Sequence, residues 1–171
     1  MATSEHQTPV NHIVVEATQP YERVIQAFEA QIGREKPEKF IDVVQSSRTP
    51  EDFTHGIERL LGSSGFMEFY SIDHGQWFSP YFQPLKSKRY DIGNPLIAQH
   101  FLKYSAEAGL HVPIRVEIYE NAQGKTCIGY DQPSTLLQQS GVTQEEFVRT
   151  ATELDQKAAH LVQKAATAQA G

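Results

Sequence analysis

The chain has a single cysteine, Cys127, in 171 residues, so neither an intrachain disulfide nor a cysteine-based zinc spacing can be built from it. Long apolar runs are missing too, and none approaches the roughly 18 residues that span a bilayer. Residues 1–9 are polar and lack the basic and apolar stretches of a secretory signal. Basic charge is scarce: 15 Lys and Arg stand against 21 Asp and Glu, a formal net charge of −6. Nucleic-acid binders use a basic surface to displace phosphate counterions, so nucleic acid is not expected as the main partner. A cytoplasmic protein without a membrane partner is the expectation. His55, His74, His100 and His111 are scattered and show no His-Glu-x-x-His or similar spacing, so no metal site is assigned. A P-loop, a dinucleotide fingerprint and a Ser/His/Asp motif are absent as well, and no cofactor is expected.

What is present is ordinary for a folded domain, with 39% hydrophobic and 21% charged residues. A chain of this length buries about two-thirds of its unfolded surface. The order of elements predicts one α+β domain over 12–165, preceded by a flexible segment 1–11 and followed by a fraying tail 166–171. The β-branched run 12–17, stopped by Pro20, reads as a strand, and Val24, Ile25, Phe28 and Ile32 then fall at helical spacing. The charged stretch 34–47 reads as a partly helical insertion. Thr49-Pro50-Glu51-Asp52 is a strong helix start: hydroxyl cap, proline at the first position, acids at the positive end. Residues 66–74 are extended and aromatic. Prolines make 77–84 a loop, and an aromatic loop usually folds over something.

Residues 86–92 form the next strand candidate, and Gly93-Asn94-Pro95 opens a helix. Ile114, Val116 and Ile118 alternate with Arg115, Glu117 and Tyr119, the pattern of a half-buried strand, and a turn at Gly124 returns the chain as a hairpin. A short helix near 133–139 and a long one from Thr143 complete the chain. The long helix has a Thr143…Glu146 capping box and a stripe of Phe147, Ala151, Leu154, Ala158, Leu161 and Val162.

The stretch from Phe66 to Pro133 resembles the bacterial and fungal family called domain of unknown function 302. The resembling residues are Ile72-Asp73-His74 after a strand, Gly93-Asn94-Pro95 at a helix start, Pro113 before Ile114-Arg-Val-Glu-Ile-Tyr119, Gly124, Tyr130 and Pro133. The resemblance implies a TATA-binding-protein-like α+β fold, a curved antiparallel sheet covered by helices on one face and often paired into dimers. It implies no chemistry. The insertion 34–47, the aromatic loop and the long C-terminal helix look like additions to the compact family pattern.

His74 is the foremost candidate for chemistry. By the period of two, Glu68 shares a strand face with Tyr70, Ile72 and His74, and Asp73 is adjacent, so a carboxylate–histidine acid–base pair is expected. The plainer reading is a histidine that fastens a loop. Trp77, Phe78, Tyr81 and Phe82 are expected to line or cover a ligand. Lys86, Lys88 and Arg89 read as a solvated strand edge guarded by lysines, or as attraction for a small anion, with Lys88 and Arg89 as ligand contacts. Asn94 caps its helix and offers an anion site beside it. Arg115, Tyr119 and Tyr130 are expected on one sheet face. Cys127 reads as a small buried hydrophobe.

Two functions follow. The first is a small-molecule site between sheet and helices, either a binding protein or a proton-transfer enzyme (isomerase, lyase or hydrolase), with an organic, aromatic or anionic ligand. The second is a non-catalytic homodimerisation or interaction module that buries the same aromatics against another subunit.

Overall fold

The computed structural model describes residues 3, 5, 7–78, 80, 81 and 85–168. Five strands form one antiparallel sheet: β1 His12–Glu16, β2 Met67–Asp73, β3 Ser87–Gly93, β4 Ile114–Glu120 and β5 Thr126–Asp131. Their spatial order is β1-β5-β4-β3-β2. The helices are α1 Tyr21–Glu29, α2 Pro37–Ser46, α3 Pro50–Glu58, α4 His74–Phe78, α5 Pro95–Leu102, α6 Pro133–Leu137 and α7 Glu145–Thr167, with a 3-10 turn at Ala106–Leu110. This is the expected α+β arrangement of an antiparallel sheet with helices on one side.

Local chemistry sets the clearest boundaries. The Thr49 hydroxyl accepts from Asp52 N at 3.0 Å and Pro50 takes the first position of α3. Asn94 repeats the device on α5, its Oδ1 accepting from Leu96 N at 2.8 Å. On β4 Ile114, Val116 and Ile118 are buried while Arg115 is exposed, as alternation requires. They pack under α1 and α7 with Val24, Phe28, Ile128, Leu154 and Leu161. Gly33 approaches the chain so closely that a Cβ would lie 1.7 Å from the Leu60 carbonyl oxygen, and its N–H donates to Phe66 O at 2.9 Å.

Four local expectations change. The long helix begins at Glu145 with no side-chain cap, because Glu146 is drawn away to α5: it accepts from Lys103 Nζ at 2.6 Å and Tyr104 Oη at 2.7 Å and meets His100 Nδ1 at 2.8 Å. Three polar partners outweigh one backbone cap, and the carboxyl is held far below its usual range, at about 2. The helix also runs past the expected frayed end. Ala166 is buried and its carbonyl accepts from Thr18 N at 3.1 Å. The first residues of the expected aromatic loop, Trp77 and Phe78, instead close a short helix, His74–Phe78, that begins where the expected strand ends. Finally, β3 lies between β4 and β2, so its cations do not guard a sheet edge.

Candidate functional site

His74 opens α4 where β2 ends, and its surroundings differ from those expected. The Trp77 indole donates to His74 Nδ1 at 3.1 Å, which makes Nδ1 the acceptor and puts the proton of a neutral ring on Nε2. That nitrogen faces Glu117 Oε2 at 3.8 Å, a contact too long for a direct hydrogen bond. Glu117 also accepts from the Ser87 hydroxyl. Asp73 instead caps α4, its Oδ1 accepting from Gln76 N at 2.9 Å. Trp77 and Phe78 stack edge-on, with Trp77 and Tyr81 exposed at the surface. Phe82 lies outside the described residues.

Glu68 is not on the face of Tyr70 and Ile72. Glu68 pairs with Ile92 and Tyr70 with Asp91, so the register slips at Phe69, a β-bulge that leaves Phe69 unpaired. A period-of-two reading fails across such an insertion. Glu68 consequently turns to the helix side, accepting from Arg34 Nε at 2.8 Å and from Ser71 Oγ at 2.7 Å. Arg34 goes on to Glu29 at 2.6 Å, and Glu29 also accepts from Lys88 Nζ at 2.8 Å and Tyr90 Oη at 2.7 Å. Burial pushes the Glu29 carboxyl up, but the bonds from Lys88 and Tyr90 outweigh it and the net direction is down. The Tyr90 phenol is pushed up, by burial first and by Glu29 second.

The cations of β3 and its approach are individually neutralised. Lys86 meets Glu120 at 2.9 Å and Glu22 at 3.0 Å, and Lys88 meets Glu29. Arg89 points to the other side of the sheet, where its Nε lies 3.1 Å from Asp91 and its guanidinium sits over Tyr70. The expected joint contact of Lys88 and Arg89 with an anion is therefore overturned by their alternation along the strand. Arg115 and Tyr119 do share the open face, but Tyr130 does not. It pairs with Val116 and is buried against α7.

The cavity sits at the opposite end of β2 from His74. It has a volume of about 390 Å³ and lies between α5, α3, the 3-10 turn and the sheet. Phe40, Phe53, Phe66, Phe69, Phe101 and Val112 give it its character, and its floor reaches Ile92, Ile114 and Leu154. The bulge matters here, since it frees Phe69 from the ladder and turns its ring over Gly93, where a Cβ would lie 3.1 Å from Phe69 Cε2. Only Asn94 and Gln99 among the described lining side chains are polar. Asn94 is spent structurally, since beyond its cap it donates from Nδ2 to Gly65 O at 3.0 Å, and Gln99 Nε2 donates to Leu96 O at 3.1 Å. Asn94 thus borders a cavity, and both ends of its amide already have partners. The sequence hid this site because its walls come from separate segments, each of which reads as ordinary core. Among the described residues no group of three or more His, Cys, Asp or Glu is placed to hold a metal ion.

An antiparallel sheet with one helical layer and an apolar cavity at the sheet's end defines an α+β fold, and the comparisons place it in a family. The family model described as domain of unknown function DUF302 matches residues 43–165, more than half of the chain, and the chain belongs to that family. Among solved structures it is similar to an uncharacterized conserved DUF302 protein from Bacillus stearothermophilus, at 14% identity and a TM-score of 0.62. That likeness covers 90% of this chain and 97% of the other, and it shows the shared fold. No curated protein matches the chain.

Proposed function

We propose that this domain binds an apolar organic molecule in the phenylalanine-lined cavity. The observation that carries the reading is the cavity itself: a volume of about 390 Å³ bounded by aromatic and aliphatic side chains, within the range of small-molecule pockets. None of its lining side chains exchanges a proton near neutral pH, so the chemistry it supports is binding by shape and apolar area. Proton-transfer catalysis would draw on His74 and Glu117 at the far end of β2, away from this cavity, and is the weaker reading. The free, buried thiol of Cys127 suits a reducing compartment, and we assign a cytoplasmic setting on that ground.

The test uses N-phenyl-1-naphthylamine, a neutral apolar dye that brightens when it leaves water. The wild type should enhance and blue-shift its emission, and Ala98→Phe, which fills the cavity from α5, should weaken binding at least about tenfold, the effect of roughly 1.4 kcal/mol. Equal binding by a folded Ala98→Phe protein would overturn the reading.

A further inference from the structure

A second cavity, of about 200 Å³, adjoins the first, and the two share Phe40 and Phe69 as walls. These rings meet edge to face, with centroids 5.3 Å apart and planes at 80°. Phe69 is the bulge residue of β2, fixed by the sheet on either side. Phe40 belongs to α2, which has no fully buried residue and leaves Ile41 and Val44 exposed. Phe40 is therefore the movable partner of the pair. Displacing that ring costs its edge-to-face contact and its packing on the Ile57, Leu60 and Met67 cluster, a cost of the same order as the gain from burying several methylene groups of an entering chain.

The cavities differ in character. The first is almost wholly apolar, whereas the second is bordered by Glu35, Lys36 and Glu68 as well as by Ile41 and Met67. Glu68 is occupied by Arg34 and Ser71, but Lys36 makes no ion pair among the described residues. A molecule that occupies both volumes must pair a hydrocarbon body with a polar end.

From this, and resting on the reading that the first cavity binds a small molecule, we infer that the Phe40–Phe69 pair is an internal gate and that the ligand is an elongated amphiphile. Its hydrocarbon body lies among the phenylalanines, and its hydroxyl- or carboxylate-bearing end passes the gate to lie beside Lys36.

The experiment measures displacement of N-phenyl-1-naphthylamine by straight-chain alkanols of about six to about fourteen carbons, where each buried methylene contributes roughly fourfold in affinity. Wild type should keep climbing beyond the length at which Phe40→Trp levels off. Phe40→Ala, with Phe40→Leu as the milder variant should the first fail to fold, should extend the climb. A common levelling-off length in all of them would overturn the gate while leaving the cavity reading intact. Failure of the wild type to bind dye and alkanols alike would instead sink both. The polar end has its own arm: fatty acids should outbind the matching alkanols by up to about fivefold, the scale of an exposed ion pair, and Lys36→Met should erase that margin. A margin unchanged in Lys36→Met would overturn the orientation.

Discussion

Glu68 and Tyr70 stand two residues apart on β2 yet face opposite sides of the sheet, because the bulge at Phe69 places Glu68 opposite Ile92 and Tyr70 opposite Asp91. One inserted residue thus does two things. It hands Glu68 to Arg34 and Ser71 on the helix side, and it releases Phe69 to wall both cavities. Replacing Phe69 by Ala removes a half-buried ring and its contact with Phe40. Urea unfolding should show a loss of about 2–3 kcal/mol, somewhat below that of a fully buried Phe→Ala change, at an unchanged slope. A loss below about 0.5 kcal/mol would mean that the ring is not packed as described.

Glu29 gathers Lys88, Tyr90 and Arg34 into one network beneath β2 and β3. Its carboxyl is lowered relative to an ordinary glutamate, so its stabilisation is fully present above about pH 4.5 and is lost as pH falls through the depressed folded value. Glu29→Gln keeps the shape and removes the charge. It should destabilise by about 2 kcal/mol at pH 7, the scale of a largely buried charge-assisted hydrogen bond. The gap between variant and wild type should narrow below about pH 4.5, since acid costs the wild type more. Denaturant midpoints at a series of pH values decide it, and a gap that widens in acid would contradict the assignment.

The parts of the fold that were legible in the sequence are those decided locally. Thr49-Pro50 and Asn94-Pro95 cap their helices through contacts two or three residues away. The alternation on β4 and the stripe on α7 report which face is buried without reference to anything distant. The site was not legible, because Phe40, Phe53, Phe69, Phe101 and Val112 come from five segments and each has a sufficient role as core. His74 drew attention instead because its aromatic neighbours are adjacent in sequence. Glu146 shows the same limit from the other side: its spacing from Thr143 fits a capping box, and only the fold brings Lys103 and Tyr104 close enough to take it.

Trp77 is the single tryptophan, and its indole donates to His74 Nδ1, so its fluorescence reports on that ring. His74→Ala removes the acceptor and leaves the indole N–H to water, so the emission maximum and yield of Trp77 should change at constant pH while the fold is kept. An emission spectrum unchanged in a folded His74→Ala protein would show that the indole does not donate to this ring.

Gly56 gives access to α2 without touching either cavity. It lies on α3, and a Cβ there would come within 2.5 Å of Val43 Cγ1, the contact by which α2 leans on α3. Glycine inside a helix normally weakens it by about 1 kcal/mol relative to alanine, so Gly56→Ala on a free helix would be stabilising. Here the added methyl must displace Val43, whose branched side chain has little freedom within its own helix, and α2 has no fully buried residue to resist being pushed outward. Amide exchange of Pro37–Ser46 should therefore speed up in Gly56→Ala while α7 keeps its protection. If α2 is the movable wall, dye association should accelerate in the same variant, because opening no longer has to break the full Val43 contact. Slower exchange in α2 would show that the helix is seated more firmly than its burial implies and that Phe40 moves, if at all, by side-chain rotation alone.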